Sequence, residues 1–248
     1  MAYKIYVDAG HGGSDPGAVY NGYREKDLNL STARYLTEAL ERCGFLVRQS
    51  RTTDVLPFGT TAASSANGRA NDANSWGADI FISVHYNANS SASAHGLQVM
   101  HYAGSAKAIA LAKLIASEYG KIGQELNAIY AANQYIVLNQ TSMPSIILET
   151  AFMSNADDLA PFTTEEGRKR AAEAVCKAVC AHFGVAYVPE GDTPTPESES
   201  GKYYAVQLGA YKDKSNATKQ LATVQAAGFA DAYIILKDTV NKTYSEGV

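Results

Sequence analysis

The chain is poor in the residues that would mark several common protein classes. Cysteine occurs three times in 248 residues, at positions 43, 176 and 180. An odd count without regular spacing is not a disulfide framework. Cys176 and Cys180 stand four apart on an expected helix and so share one face. Their expected role is that of small buried hydrophobes. Positive charge is not in excess: 21 Lys and Arg stand against 25 Asp and Glu, a formal net charge of −4. A nucleic-acid backbone needs clustered Lys and Arg, so no nucleic-acid partner is expected. No apolar run approaches the ~20 residues a membrane-spanning helix needs. Met1-Ala2-Tyr3-Lys4 leads straight into a strand pattern, so no signal peptide is read at the start.

What remains is ordinary globular composition, 46% hydrophobic and 19% charged. That suffices for one sizeable domain and a small second one. Strand patterns are read at 3–8, 45–49, 80–85, 97–102, 135–138 and 145–149. Between them, helices are read from an N-cap at Asp27 to Cys43 with Gly44 as the stop, and over 69–76, 106–119 and 165–183. The polar stretch 52–65 reads as a long loop, the kind that borders a site. Strands alternating with helices predict an α/β fold, with a mixed, mostly parallel twisted sheet covered by helices on both faces. A Pro-, Ser- and acid-rich segment over 188–201 predicts an extended linker. It separates a first domain, 1–187, from a C-terminal piece, 202–248. That piece reads as a small βαβ unit, with strands at 203–208 and 232–236 and a helix over 215–227.

Three residues sit at the ends of apolar, strand-like runs. Ile5-Tyr6-Val7-Asp8 runs into Ala9-Gly10-His11, Ile80-Phe81-Ile82-Ser83-Val84 into His85, and Ile146-Ile147-Leu148 into Glu149. Strands that end together place such residues in one crevice. Two imidazoles with carboxylates there suggest a zinc site with an open position for water. His11, Glu25 and His85 fit as ligands, and Glu149 fits as a proton carrier outside the coordination shell. Gly10, Gly12 and Gly13 let the His11 loop turn sharply. Each residue also has an ordinary reading, the histidines as structural and Glu25 as a surface charge. Glu149 is harder to place that way, because a carboxylate closing an apolar strand needs a partner. Asp8 and Asn87 flank the histidines and either orient an imidazole or stabilise a loop. His95 and His101 lie near the following strand, with ordinary structural or surface roles expected.

Longer segments bear on this choice. They run in order as Val7-Asp8-Ala9-Gly10-His11-Gly12-Gly13, Gly17, Arg24-Glu25-Lys26-Asp27-Leu28-Asn29-Leu30 and Arg51-Thr52-Thr53-Asp54. Arg69 with Ala73-Asn74 follows, then Ala78-Asp79-Ile80-Phe81-Ile82-Ser83-Val84-His85-Tyr86-Asn87-Ala88. Met143-Pro144 and Ile147-Leu148-Glu149-Thr150-Ala151-Phe152-Met153-Ser154-Asn155 complete the set. This succession resembles the zinc-dependent N-acetylmuramoyl-L-alanine amidases that cleave bacterial cell walls, over about residues 3–185. The resemblance implies one zinc ion per catalytic domain on His11, Glu25 and His85, with Glu149 as the catalytic acid. It implies peptidoglycan as the partner and hydrolysis of the amide between N-acetylmuramic acid and L-alanine, in lysis or wall remodelling. A zinc carboxypeptidase or peptidase on the same scaffold and a non-catalytic wall-binding protein are the alternatives. Made in the cytoplasm, the protein would act on the wall after release or export. One departure is visible: the family often carries an Arg shortly before the Met-Pro pair, and 137–142 holds no basic residue. Finally, Lys202-Tyr203-Tyr204-Ala205-Val206-Gln207-Leu208-Gly209-Ala210-Tyr211 resembles the start of the SPOR domain, a peptidoglycan-binding module. Its fold contains two βαβ-like halves, and about one is expected here.

Overall fold

The computed structural model describes residues 2–191 and 213–226. The chain divides into two compact units, Met1–Thr195 and Pro196–Val248.

In the first unit, strand β1 (Lys4–Ala9) leads through a glycine loop to a small hairpin, β2 (Val19–Tyr20) and β3 (Tyr23–Arg24). Helix α1 (Glu25–Arg42), strand β4 (Leu46–Gln49), helix α2 (Ala62–Trp76) and strand β5 (Ile80–Asn87) follow. Then come β6 (Leu97–His101), α3 (Ala106–Lys121), β7 (Leu126–Ala131), the one-turn α4 (Ile136–Asn139) and β8 (Ser145–Phe152). The short α5 (Ala156–Leu159), a 3-10 turn and the long α6 (Glu165–Phe183) close the unit. The sheet order is β4-β1-β5-β8-β6-β7. All neighbours pair in parallel except β6 with β8. The expected mixed, mostly parallel α/β sheet is therefore present.

Period-two alternation sorts the strand residues onto two covered faces. Ile5, Val7, Ile82, Val84, Ile146 and Leu148 join the buried faces of α1, α3 and α6 in one apolar core. Tyr6, Phe81, Met100 and Ile147 form a second core with Ala73 of α2 and Val137 and Leu138 of α4. Along this second face, polar groups succeed the apolar ones towards the C-terminal ends of β1, β5 and β8. Tyr6 stacks on Phe81 with ring centroids 5.3 Å apart. Beyond that pair, fully buried Asp8 accepts a hydrogen bond from Ser83 Oγ at 2.6 Å and is ion-paired to Arg69 of α2. His85 comes next, and it pairs in register with Glu149, which pairs in turn with Gln98 of β6. The backbone N–H of Gly10 bonds the Val84 carbonyl at 3.1 Å. His85, Glu149 and Gln98 thus form a row across β5, β8 and β6, with Gly10, the residue after β1, beside His85.

The structure corrects several sequence expectations. Residues 135–138 are not a strand: Ile136–Asn139 is the helical turn α4, and the strand at this point is β7, Leu126–Ala131. Asp27 does not cap α1; the helix starts at Glu25, and Asp27 forms an ion pair with Arg24 at 2.6 Å from inside the first turn. Helix α2 begins at Ala62, inside the expected loop, where Thr61 and Ser64 form a reciprocal capping box. In the second unit, α7 (Lys214–Ala226) is a helix of 13 residues. The strands expected at 203–208 and 232–236 lie outside the described residues, as does most of the expected linker. Among the described residues, no helix is long and apolar enough to cross a membrane.

Candidate functional site

The loop after β1 presents His11 in the left-handed backbone region, φ 61°. That conformation costs a non-glycine residue about 1 kcal/mol or more, so the surroundings must hold it. Arg51 does much of this. Its guanidinium, on a residue only 4% exposed, donates to the carbonyls of Ala9, Gly10 and Lys26 at 2.8–3.0 Å. Lys26 reaches the Gly13 carbonyl and Asp54 Oδ2, both at 2.7 Å, and Asp54 Oδ1 accepts the Gly13 N–H at 2.8 Å. The loop is thereby fastened to α1 and to the segment after β4.

Glu25, the first residue of α1, is 5% exposed. A carboxylate suits the positive end of a helix. Its Oε2 accepts the Ala18 N–H at 2.9 Å, and its Oε1 accepts from Asn29 Nδ2 at 3.3 Å. The same carboxylate faces both imidazoles. His11 Nε2 lies 3.2 Å from Oε2, and His85 Nδ1 lies 2.8 Å from Oε1. One donor atom from each of His11, Glu25 and His85 lies within 4.8 Å of the other two. Burial works against charge on His11 and Glu25, but their mutual contacts win. Glu25 is held well below the usual carboxylate range, and the contacts to Glu25 and Asp15 raise His11 to about 9. A cation and a proton would compete for these atoms.

Two imidazole nitrogens and a carboxylate oxygen at this spacing are a donor set that suits a zinc-class divalent ion. Glu149 adds a second observation. Its Oε2 is buried without a hydrogen-bond partner. Burial pushes this carboxyl up to about 7, with the negative Glu25 adding to the rise and the histidines opposing it. An acid poised in this range, beside a cation-binding set, can accept and return a proton near neutral pH.

Two glycines leave the room that the rings occupy. A Cβ on Gly10 would lie 2.2 Å from His85 Nε2, and a Cβ on Gly17 would lie 2.5 Å from Glu25 Oε2. Gly17 also sits at φ +63°. The expected effect of Gly10→Ala is a displaced His85 ring. Divalent-ion affinity measured by competition with a chromogenic chelator should fall about 100-fold, while the circular dichroism spectrum is kept. Unchanged affinity would show that the ring position is not critical.

Asp8 and Asn87 take other partners. Asp8 bonds Ser83 and Arg69, with no hydrogen bond to either imidazole, so it does not orient a ring directly. Asn87 donates to Gln98 Oε1 at 2.8 Å and accepts the Ala88 N–H. The carboxylate on the outer nitrogen of His11 is Asp15, 2.9 Å from Nδ1. Sequence reading missed it, although its place four residues after His11 in a tight glycine loop was a usable signal. Asp15 is itself set by two backbone bonds with Gly12, at 2.9 and 3.0 Å. Such a carboxylate fixes the ring and leaves Nε2 free to bind. Asp15→Ala is expected to weaken divalent-ion binding about 10–100-fold in the same competition assay; no change would remove Asp15 from this role. His95 and His101 stay apart, each with Nδ1 on a backbone carbonyl, of Ser93 and Tyr102 respectively.

Known proteins share this arrangement of sequence and fold. Residues 5–181 match the N-acetylmuramoyl-L-alanine amidase family, and residues 200–245 match the SPOR domain. The chain is 31% identical over 239 residues to the N-acetylmuramoyl-L-alanine amidase CwlM of Bacillus licheniformis, covering 95% of this chain and 86% of that protein. It is 32% identical to the sporulation-specific N-acetylmuramoyl-L-alanine amidase of Bacillus subtilis strain 168, covering 95% and 85%. A crystal structure of an N-acetylmuramoyl-L-alanine amidase from Clostridium difficile 630 superposes with a TM-score of 0.68 at 27% identity, over 74% of this chain and 97% of that one. AmiC2 of Nostoc punctiforme superposes at 0.66 with 27% identity, over 73% and 97%. With the family matched across most of its length, this chain belongs to the N-acetylmuramoyl-L-alanine amidases.

Proposed function

We propose that this peptidoglycan amidase works through one zinc ion held by His11, Glu25 and His85, with Glu149 as its proton carrier. The bond broken joins the lactyl carbonyl of N-acetylmuramic acid to the nitrogen of L-alanine. The observation that carries the reading is the convergence of the three donor atoms within 4.8 Å, beside the unpartnered Glu149 Oε2. Zinc bound there would supply Lewis acidity, making a water acidic near neutral pH and polarising the amide carbonyl. Glu149 Oε2 takes the proton that the attacking water loses. It then returns that proton to the L-alanine nitrogen, which leaves poorly unless protonated. Asp15, on the Nδ1 of His11 away from the ion, fixes that ring, so it needs little reorganisation when substrate arrives.

The catalytic domain in this reading is 1–187. The segment 188–201 is a tether, and 202–248 a wall-binding SPOR-like module that raises the local concentration of enzyme on peptidoglycan. The enzyme acts on the bacterial cell wall.

Digestion of isolated walls tests the bond assignment. The expected product is a new free amine on L-alanine, without new reducing sugar ends. New amines confined to other stem-peptide residues would assign the chain to a peptidase chemistry instead.

A further inference from the structure

Away from the first site, the three cysteines meet in the core beneath the ends of α1 and α6. Cys43 is the C-cap residue of α1, and Cys176 and Cys180 share one face of α6. All three are free and buried, at 7%, 0% and 1% exposure. Cys43 Sγ lies 3.6 Å from Cys176 Sγ, and the three sulfurs lie within 4.8 Å of one another. A tetrahedral zinc-class ion with metal–sulfur bonds of about 2.3 Å holds neighbouring thiolates about 3.8 Å apart. The observed separation is of that size and far from a sulfur–sulfur bond.

Burial raises the Cys43 pKa and contact with Cys180 raises that of Cys176, so an incoming cation must displace their thiol protons. The Val188 N–H points at Cys43 Sγ, 3.3 Å away, as a donor. Cys176 hydrogen-bonds Cys180 and lowers its pKa, aided by the Arg42 charge, while Cys176 itself is raised. Arg42 is held close by Glu173 and by the Val188 carbonyl at 2.9 Å, and that same oxygen accepts from the Cys43 thiol at 3.8 Å, a bond the ion would replace. The geometry points to a second metal site, in which Cys43, Cys176 and Cys180 hold one thiophilic divalent ion of the zinc class through three thiolates. Binding releases the thiol protons and leaves a net charge of −1 on the ion and its ligands, beside the Arg42–Glu173 ion pair. The ion would tie the end of α1 to α6. It is separate from the histidine site, whose donors carry no sulfur.

Cadmium titration of the full, reduced chain tests this. One equivalent of Cd(II) should produce an ultraviolet thiolate-to-metal charge-transfer band and raise the melting temperature. The band should persist in His85→Ala and vanish in Cys176→Ala, with wall hydrolysis by Cys176→Ala keeping its wild-type rate as proof of folding. The wild-type titration stands even if that variant fails to fold. Absence of the band, with three free thiols counted in denaturant, overturns the proposal. So does a count showing a native disulfide between Cys43 and Cys176.

Discussion

Glu149→Gln is expected to lower the rate of wall hydrolysis by about 10²–10⁴-fold while leaving fold and divalent-ion binding intact. The amide keeps the size and the strand position opposite His85 but can no longer accept a proton. Glu149 is not one of the three converging donors, so the ion should stay. In the wild type the carboxyl must begin as a carboxylate. The rate should therefore fall as pH drops through its pKa, about 7 without a cation nearby, and lower once a cation's field acts on it. With zinc kept saturating at every pH, this acidic limb should disappear in the variant. Turbidity loss of isolated walls across pH reads both effects. A variant within about tenfold of wild type would remove Glu149 from proton transfer.

Chelation is expected to abolish turnover, and added zinc to restore it in the wild type but not in His85→Ala. Neither treatment should unfold the domain, because the two apolar cores contain none of His11, Glu25 or His85. Without the ion the three side chains still satisfy one another by hydrogen bonds. The His11 pKa, raised to about 9 by its carboxylate partners against the pull of burial, sets the pH dependence. Below that pH a proton must leave for the ion to bind, and apparent affinity should weaken about tenfold per pH unit. Activity that survives exhaustive chelation, with metal content shown to be negligible, would contradict this account.

Much of the fold was legible because its central strands are buried on both faces. Ile80–Val84 and Ile146–Leu148 read as continuous apolar runs, which a covered parallel sheet requires. The edge strand β7 was missed for the converse reason. Four of its six residues are exposed, and although Leu126-Asn127-Ala128-Ile129-Tyr130-Ala131 is largely apolar, it lacks the period-two alternation that marks a strand with one buried face. The apolar Tyr135-Ile136-Val137-Leu138 was read as the strand instead, although a run of four is too short to separate helix from strand by period. The start of α1 was obscured because its first turn holds buried Glu25 and Lys26, which serve the site and the loop. His11, His85 and Glu149 were visible as polar residues ending apolar runs, and Glu25 through the family resemblance. Asp15 was not, and Arg51, Gly10 and Gly17 stood in the sequence pattern without the roles the structure gives them: Arg51 as a clamp on the loop carbonyls and the two glycines as room for the rings. Their roles depend on loop closure, which brings Arg51 onto the Gly10 carbonyl across 41 residues of chain.

The central claim is that His11, Glu25 and His85 grip one cation. Anomalous diffraction at the zinc edge, from crystals of the zinc-loaded protein, addresses it most directly. The expected result is a peak about 2.0–2.2 Å from His11 Nε2, a Glu25 oxygen and His85 Nδ1. A fully loaded crystal whose map is empty at that point would contradict it.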